Sequence, residues 1–192
     1  MLLALKGRGN IALALMVVVL FALACKFGNE TEAANKLVDK ANDEIKMAKE
    51  IQDKNEEKTG AYKTALQDGN FNKAKSLLDE VVKDIDVGVK HGETAAENLE
   101  AAAKLKVDDK FKEYLEVRAQ SVRKRIDSYK ELKTMFGTTS EMLANPTAAS
   151  VQNAQPKIKD SQEKISKLDK EAEELEEKSE KVRKDNPDKF KS

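Results

Sequence analysis

An all-α fold, an elongated antiparallel up-down bundle of four long helices, is predicted by three observations. Apolar residues recur in alternating steps of four and three along four separate stretches. Glycine and proline are scarce, at 8 and 3 residues, there is no tryptophan, and 36% of the chain is charged. Charge-rich composition dominated by Ala, Lys, Glu, Asp and Leu, with a period near 3.5, is the signature of long packed helices. Finally, short turn signals separate the four stretches.

Helix one spans about Glu30 to Ala65 or Leu66, with a stripe at Ala34, Val38, Ala41, Ile45 and Ala48. Continuing the register brings Gln52, Asn55 and Thr59, then Tyr62 and Leu66, so the stripe is polar in its middle. Asp68-Gly69-Asn70 is a turn that closes this helix. Helix two runs from about Asn72 to Lys104. Its stripe of Ala74, Leu78, Val81, Ile85, Gly88, Gly92, Ala95, Leu99 and Ala102 is the most regular in the chain. Leu77, Val82 and Val89 widen that face, as a helix with two neighbours requires.

Val107-Asp108-Asp109 turns the chain, with an aspartate as N-cap. Helix three then covers roughly Asp109 to Phe136, facing inward with Phe111, Leu115, Ala119, Val122, Ile126 and Tyr129. Gly137 reads as its C-cap, and a short turn of helix is expected from Ser140 to Ala144. Asn145-Pro146 reads as the N-cap and first position of a further helical segment. Helix four starts between Thr147 and Gln155, with Pro156 near its first turns, and reaches about Lys184. Its stripe includes Ile158, Ser161, Ile165, Leu168, Ala172 and Ser179. Asn186-Pro187 ends it, leaving residues 186–192, Phe190 included, as a flexible tail. Helices of this length with short connectors pack antiparallel, giving a rod about 45–55 Å long. The C-terminus and the 105–109 turn should then share an end with the start of helix one.

Ahead of this body lies a different kind of sequence. Lys6 and Arg8 precede an unbroken apolar run from Ile11 to Ala24, and no acidic residue occurs before Glu30. That run of 14 positions is short of the roughly 20 residues a membrane-spanning helix needs, and fits a signal-peptide core. It ends in Ala22-Leu23-Ala24-Cys25, which holds the only cysteine. This stretch resembles the lipobox of bacterial lipoproteins. The resemblance covers residues 1–25 alone. It implies cleavage between Ala24 and Cys25, a diacylglyceryl anchor on Cys25, and an envelope location facing the periplasm or the outside. Lys26 after the cysteine looks like an outer-membrane sorting signal of enterobacteria. The expected organisation is a signal over 1–24, a tether over 25–29, a helical bundle over 30–185 and the tail. The tether reaches on the order of 15 Å, so the bundle sits close to its membrane.

The charges balance at 35 basic and 35 acidic. Loss of Lys6 and Arg8 with the signal leaves a slight acidic excess. Without a basic footprint there is no electrostatic case for nucleic acid. With one histidine and one cysteine, a Ser/His/Asp or Cys/His hydrolase has no partner set, and no Gly-rich phosphate loop is present. A bundle metal site needs several inward His and Glu ligands, so His91 alone reads as exposed or structural. No cofactor is expected.

Two features remain as candidate sites. Gln52, Asn55 and Thr59 either line a polar cavity or set helix register. Gly88 and Gly92, flanking His91, either form a ligand notch or allow close packing against Met47 and Ile51 of helix one. Arg118, Arg123, Lys124, Arg125, Lys130 and Lys133 make helix three locally basic, either for anionic surfaces or as a solvated face balanced by Glu113, Glu116, Asp127 and neighbouring helices. The expected function is a non-enzymatic, lipid-anchored interaction, scaffold or sensor domain, with a protein partner or self-association through its helices. The alternative is a binding module for a cell-wall polymer or small ligand at the polar mid-bundle segment.

Overall fold

The computed structural model describes residues 30–190. The expected signal, the expected Ala24/Cys25 processing site and the expected tether lie outside the described residues. Four antiparallel helices make up the body: α1 (Thr31–Gln67), α2 (Phe71–Ala103), α3 (Asp109–Ala144) and α4 (Ala148–Asp185), followed by a 3₁₀ turn at Pro187–Phe190. Their lengths of 37, 33, 36 and 38 residues correspond to roughly 50–57 Å. No strand occurs among the described residues, and none of their helices is long and apolar enough to cross a membrane.

Each connector is closed by identifiable chemistry. Gly69 takes φ +69°, a left-handed conformation that glycine adopts without penalty. Asn70 N–H then donates to the Ala65 carbonyl and Gly69 N–H to the Leu66 carbonyl. This is a Schellman pair, and it satisfies carbonyls that the end of α1 leaves open. The Asn70 side chain caps α2 by accepting from Lys73 N–H at 3.0 Å. Asp108 caps α3 through Lys110 N–H at 2.9 Å, and that bond holds the Asp108 carboxyl below its ordinary pKa. Thr147 and Ser150 form a reciprocal capping box at the start of α4.

Three boundaries differ from the sequence reading. Helix α3 runs through Gly137 without a break to Ala144. An added Cβ at Gly137 would meet nothing within 4 Å, and its φ is not positive. Beyond it, buried Leu143 joins the distal core and Ser140 donates to Asp79 of α2, so tertiary contacts carry the helix past a weak former. Consequently Asn145 is the C-cap of α3, and Thr147 rather than Asn145 is the N-cap of α4. Pro156 lies inside α4, past its first turns. Finally, the segment after Asn186 packs: Phe190 meets Phe111 and Tyr114 edge-on, with ring centroids 5.3 and 5.2 Å apart. Aromatic edge-to-face geometry rewards that docking.

The stripes become the core. Eight of the nine α2 stripe residues are buried, Gly88 being half-buried. Three clusters stack along the rod. The first gathers Ala34, Ala41, Leu99, Phe111, Tyr114 and Leu115, with Phe190 and Val182 against it. The middle one is Val81, Ile85, Val89, Ala96 and Ile126. The distal one is Ala65, Ala74, Leu78 and Leu143. At the first end, Glu30 N–H donates to the Lys106 carbonyl at 2.9 Å, Lys106 N–H donates to Glu30 Oε2 at 2.8 Å, and Lys189 lies 3.4 Å from Asp108. The start of α1, the α2–α3 turn and the C-terminal 3₁₀ turn therefore share one end, as the topology requires.

Close backbone approach is confined to chain neighbours. No Cα of α1 comes within 8 Å of a Cα of α3 or α4, and none of α2 within 8 Å of α4. Helix α4 buries Ala154, Ser161, Ala172 and Ser179 while its larger stripe residues stay half-exposed. Small side chains let it sit close on α3, where the buried Ser121 hydroxyl donates to the Ala172 carbonyl at 2.8 Å.

Candidate functional site: a groove along the α1–α3 seam

Helices α1 and α3 run parallel on either side of α2, and two polar bridges join them. Near the shared end, Arg118 Nη2 donates to Asn42 Oδ1 at 2.7 Å. Ten residues further along α1, the Tyr129 hydroxyl donates to Gln52 Oε1 at 2.6 Å. Burial pushes the Tyr129 pKa up, which keeps the hydroxyl protonated as a donor. Between the bridges lies a groove of about 440 Å³, within the range of small-ligand sites. Ile45, Ala48 and Lys49 form its α1 wall, and Val122, Arg125 and Ile126 its α3 wall. Gly88 and Gly92 of α2 form the floor, and Glu176 of α4 stands at the lip.

The sequence candidates divide across this geometry. Gln52, Gly88 and Gly92 line the groove. Asn55 sits behind it on a small void of about 20 Å³ shared with Gln52, Ile85 and Gly88. Asn55 Oδ1 is buried with no hydrogen-bond donor in reach, a condition that costs about 1–3 kcal/mol. Thr59 turns back on its own helix, donating to the Asn55 carbonyl at 2.7 Å. His91 points to the α1–α2 face, with Nδ1 2.6 Å from Glu44 Oε2. The six candidates thus do not converge on one site.

The two glycines also differ from each other. A Cβ on Gly88 would meet Ile51 of α1 at 3.8 Å, an ordinary contact. On Gly92 it would meet Ile126 of α3 at 2.9 Å, closer than side chains approach. So Gly88 faces helix one as the heptad register requires, but Gly92 faces helix three. Met47 is exposed rather than filling the notch.

Helix three is where the sequence left most unread. Of the six basic residues singled out from its sequence, five pair with carboxylates on flanking helices. Arg123 bonds Glu100, Lys130 Glu93 and Lys133 Asp86, all on α2. Lys124 bonds Glu171 and Arg125 bonds Glu176, both on α4 and both at 2.6 Å. Glu113 and Glu116 pair instead with Lys110 and Lys112 of their own helix. The sixth basic residue, Arg118, stands apart. Its guanidinium donates to neutral oxygens of Tyr114 and Asn42, lies 5.7 Å from the Tyr114 ring centroid, and has no carboxylate within 4.0 Å among the described residues. No motif marks it in the sequence; only the partners of its neighbours single it out.

Among the described residues, no three His, Cys, Asp or Glu side chains gather so as to hold a metal ion. No protein family, curated protein or solved structure matches this chain.

Proposed function

We propose that this chain is a lipid-anchored lipoprotein of the bacterial cell envelope, whose helical bundle is a non-catalytic interaction module held close to a membrane. The observation that carries the reading is the fixed start of the bundle. Glu30, five residues after Cys25, is tied by two hydrogen bonds to Lys106, so any anchor at Cys25 has almost no free chain above it. The rod then extends roughly 50–57 Å from that end, which sets how far the module reaches. The groove on the α1–α3 seam is its interaction face. Its chemistry suits recognition: Ser121 is spent on the Ala172 carbonyl, and Glu176 is spent on Arg125. No nucleophile stands beside a base there. An open groove, rather than an enclosed polar pocket, favours a module that binds at its surface.

Intact mass of the membrane-extracted protein tests the anchor. The expected species begins at Cys25 and carries acyl mass, and Cys25→Ser moves the protein out of the membrane fraction. An unacylated mature species, or unchanged fractionation of Cys25→Ser, defeats the reading.

A further inference from the structure

We propose that the α1–α3 groove binds a long-chain fatty acid, its carboxylate held by Arg118, with Lys49 adding positive charge along the groove and the chain lying over the Gly88/Gly92 floor. This deepens, and rests on, the reading of the groove as the module's interaction face.

Three observations carry it. The first is charge. Arg118 is half-buried, and only two of its five N–H donors are used, both on neutral oxygens. Lys49, on the opposite wall, makes no ion pair among the described residues, and the one carboxylate at the groove, Glu176, is neutralised by Arg125 at 2.6 Å. Every other basic side chain of the helix-three cluster has an acidic partner. The groove therefore carries an uncompensated positive charge that an anionic head would complement. The second is the character of the walls. Ala48, Ile45, Val122 and Ile126 give apolar sides, and the two glycines leave the floor without side chains. An apolar trough with two cations suits an amphipathic anion rather than a sugar or a peptide.

The third observation is size. The two bridges stand ten residues apart on α1, about 15 Å along the axis. An unbranched acyl chain is thinner than a helix of about 10 Å diameter and suits a narrow trough of this kind. The Tyr129–Gln52 bridge closes the end remote from Arg118, which orients the chain with its head toward the Arg118 end.

The full chain in phosphatidylcholine nanodiscs, photolabelled with a diazirine derivative of palmitate and mapped by mass spectrometry, tests this. The expected label falls on peptides spanning residues 45–52 and 118–129. Palmitate should compete at least about tenfold better than hexadecanol, which has the same chain without the charge. Ala48→Leu should cut labelling about tenfold by narrowing the trough from its α1 wall. Should that variant fail to fold, Lys49→Glu, a change at an exposed side chain, should cut it about tenfold by charge reversal while leaving the melting temperature in place. Equal competition by hexadecanol overturns the proposal, as does labelling that spreads outside the groove or survives Lys49→Glu. Acylated, membrane-held protein that fails to label refutes the ligand and leaves the anchor standing. Protein that labels but lacks acyl mass does the reverse.

Discussion

Gly88 and Gly92 occupy equivalent positions one turn apart, yet their replacements should have opposite signs. Glycine inside a helix costs about 1 kcal/mol relative to alanine. At Gly88 the added methyl finds ordinary contact with Ile51, so Gly88→Ala should raise stability by about 0.5–1 kcal/mol. At Gly92 the same methyl drives into Ile126 Cγ1, near the stem of a branched side chain with little freedom to yield. Overpacking of that kind costs about 1–3 kcal/mol, which outweighs the helical gain, so Gly92→Ala should lower stability by about 1 kcal/mol. Urea denaturation of the two variants checks this, and equal shifts would contradict the assigned faces. Phe190 carries a second prediction at this scale. Because its ring closes the first core cluster against Phe111 and Tyr114, Phe190→Ala should cost about 1–2 kcal/mol. A flexible tail would show no change in melting temperature.

At the scale of elements, Pro156 stands out. It lies within α4, exposed, where it removes the N–H that would bond the Gln152 carbonyl. A proline inside a helix costs about 3 kcal/mol, and its exposure means nothing is repaid through packing. Pro156→Ala should therefore stabilise the protein by about 2 kcal/mol, measured by thermal or urea unfolding. A variant no more stable than the parent would mean that α4 does not limit global unfolding. The heptad stripes of α1, α2 and α4 were legible because a 3.5-residue period survives whatever the partner helix is. The end of α3 was not. Gly137 has the local chemistry of a stop, but Ser140 and Leu143 find partners on α2 and in the distal core. That gain depends on residues some 60 positions away, which no local signal encodes.

For the whole molecule, the consequence of close backbone packing between chain neighbours alone is uneven stability. Helix α2 has a neighbour on each side and carries most of the core, whereas α4 packs on α3 alone and buries chiefly Ala154, Ser161, Ala172 and Ser179. Small residues remove little apolar area from water, at about 25 cal/mol per Å². Native-state hydrogen exchange should show α4 amides opening through a sub-global event, at lower free energy than those of α2. A single opening free energy for both helices would sink this idea. In that low-stability unit, Glu176 and Arg125 link the lip of the groove to α4, so loosening α4 should also widen the groove.

Sequence alone determined the number of helices, their approximate bounds, their antiparallel order and the face each turns inward. These follow from period, turn chemistry and connector length, which are local. It also picked out Gln52, Gly88 and Gly92, because they break an otherwise apolar stripe. Tertiary structure decided that Gly92 faces α3, that Asn55, Thr59 and His91 turn away from the groove, and that Phe190 docks. It also decided that Arg118 alone in its cluster lacks an acidic partner. Each depends on which side chains meet across helices, and six basic residues on one helix look alike until their neighbours are in place.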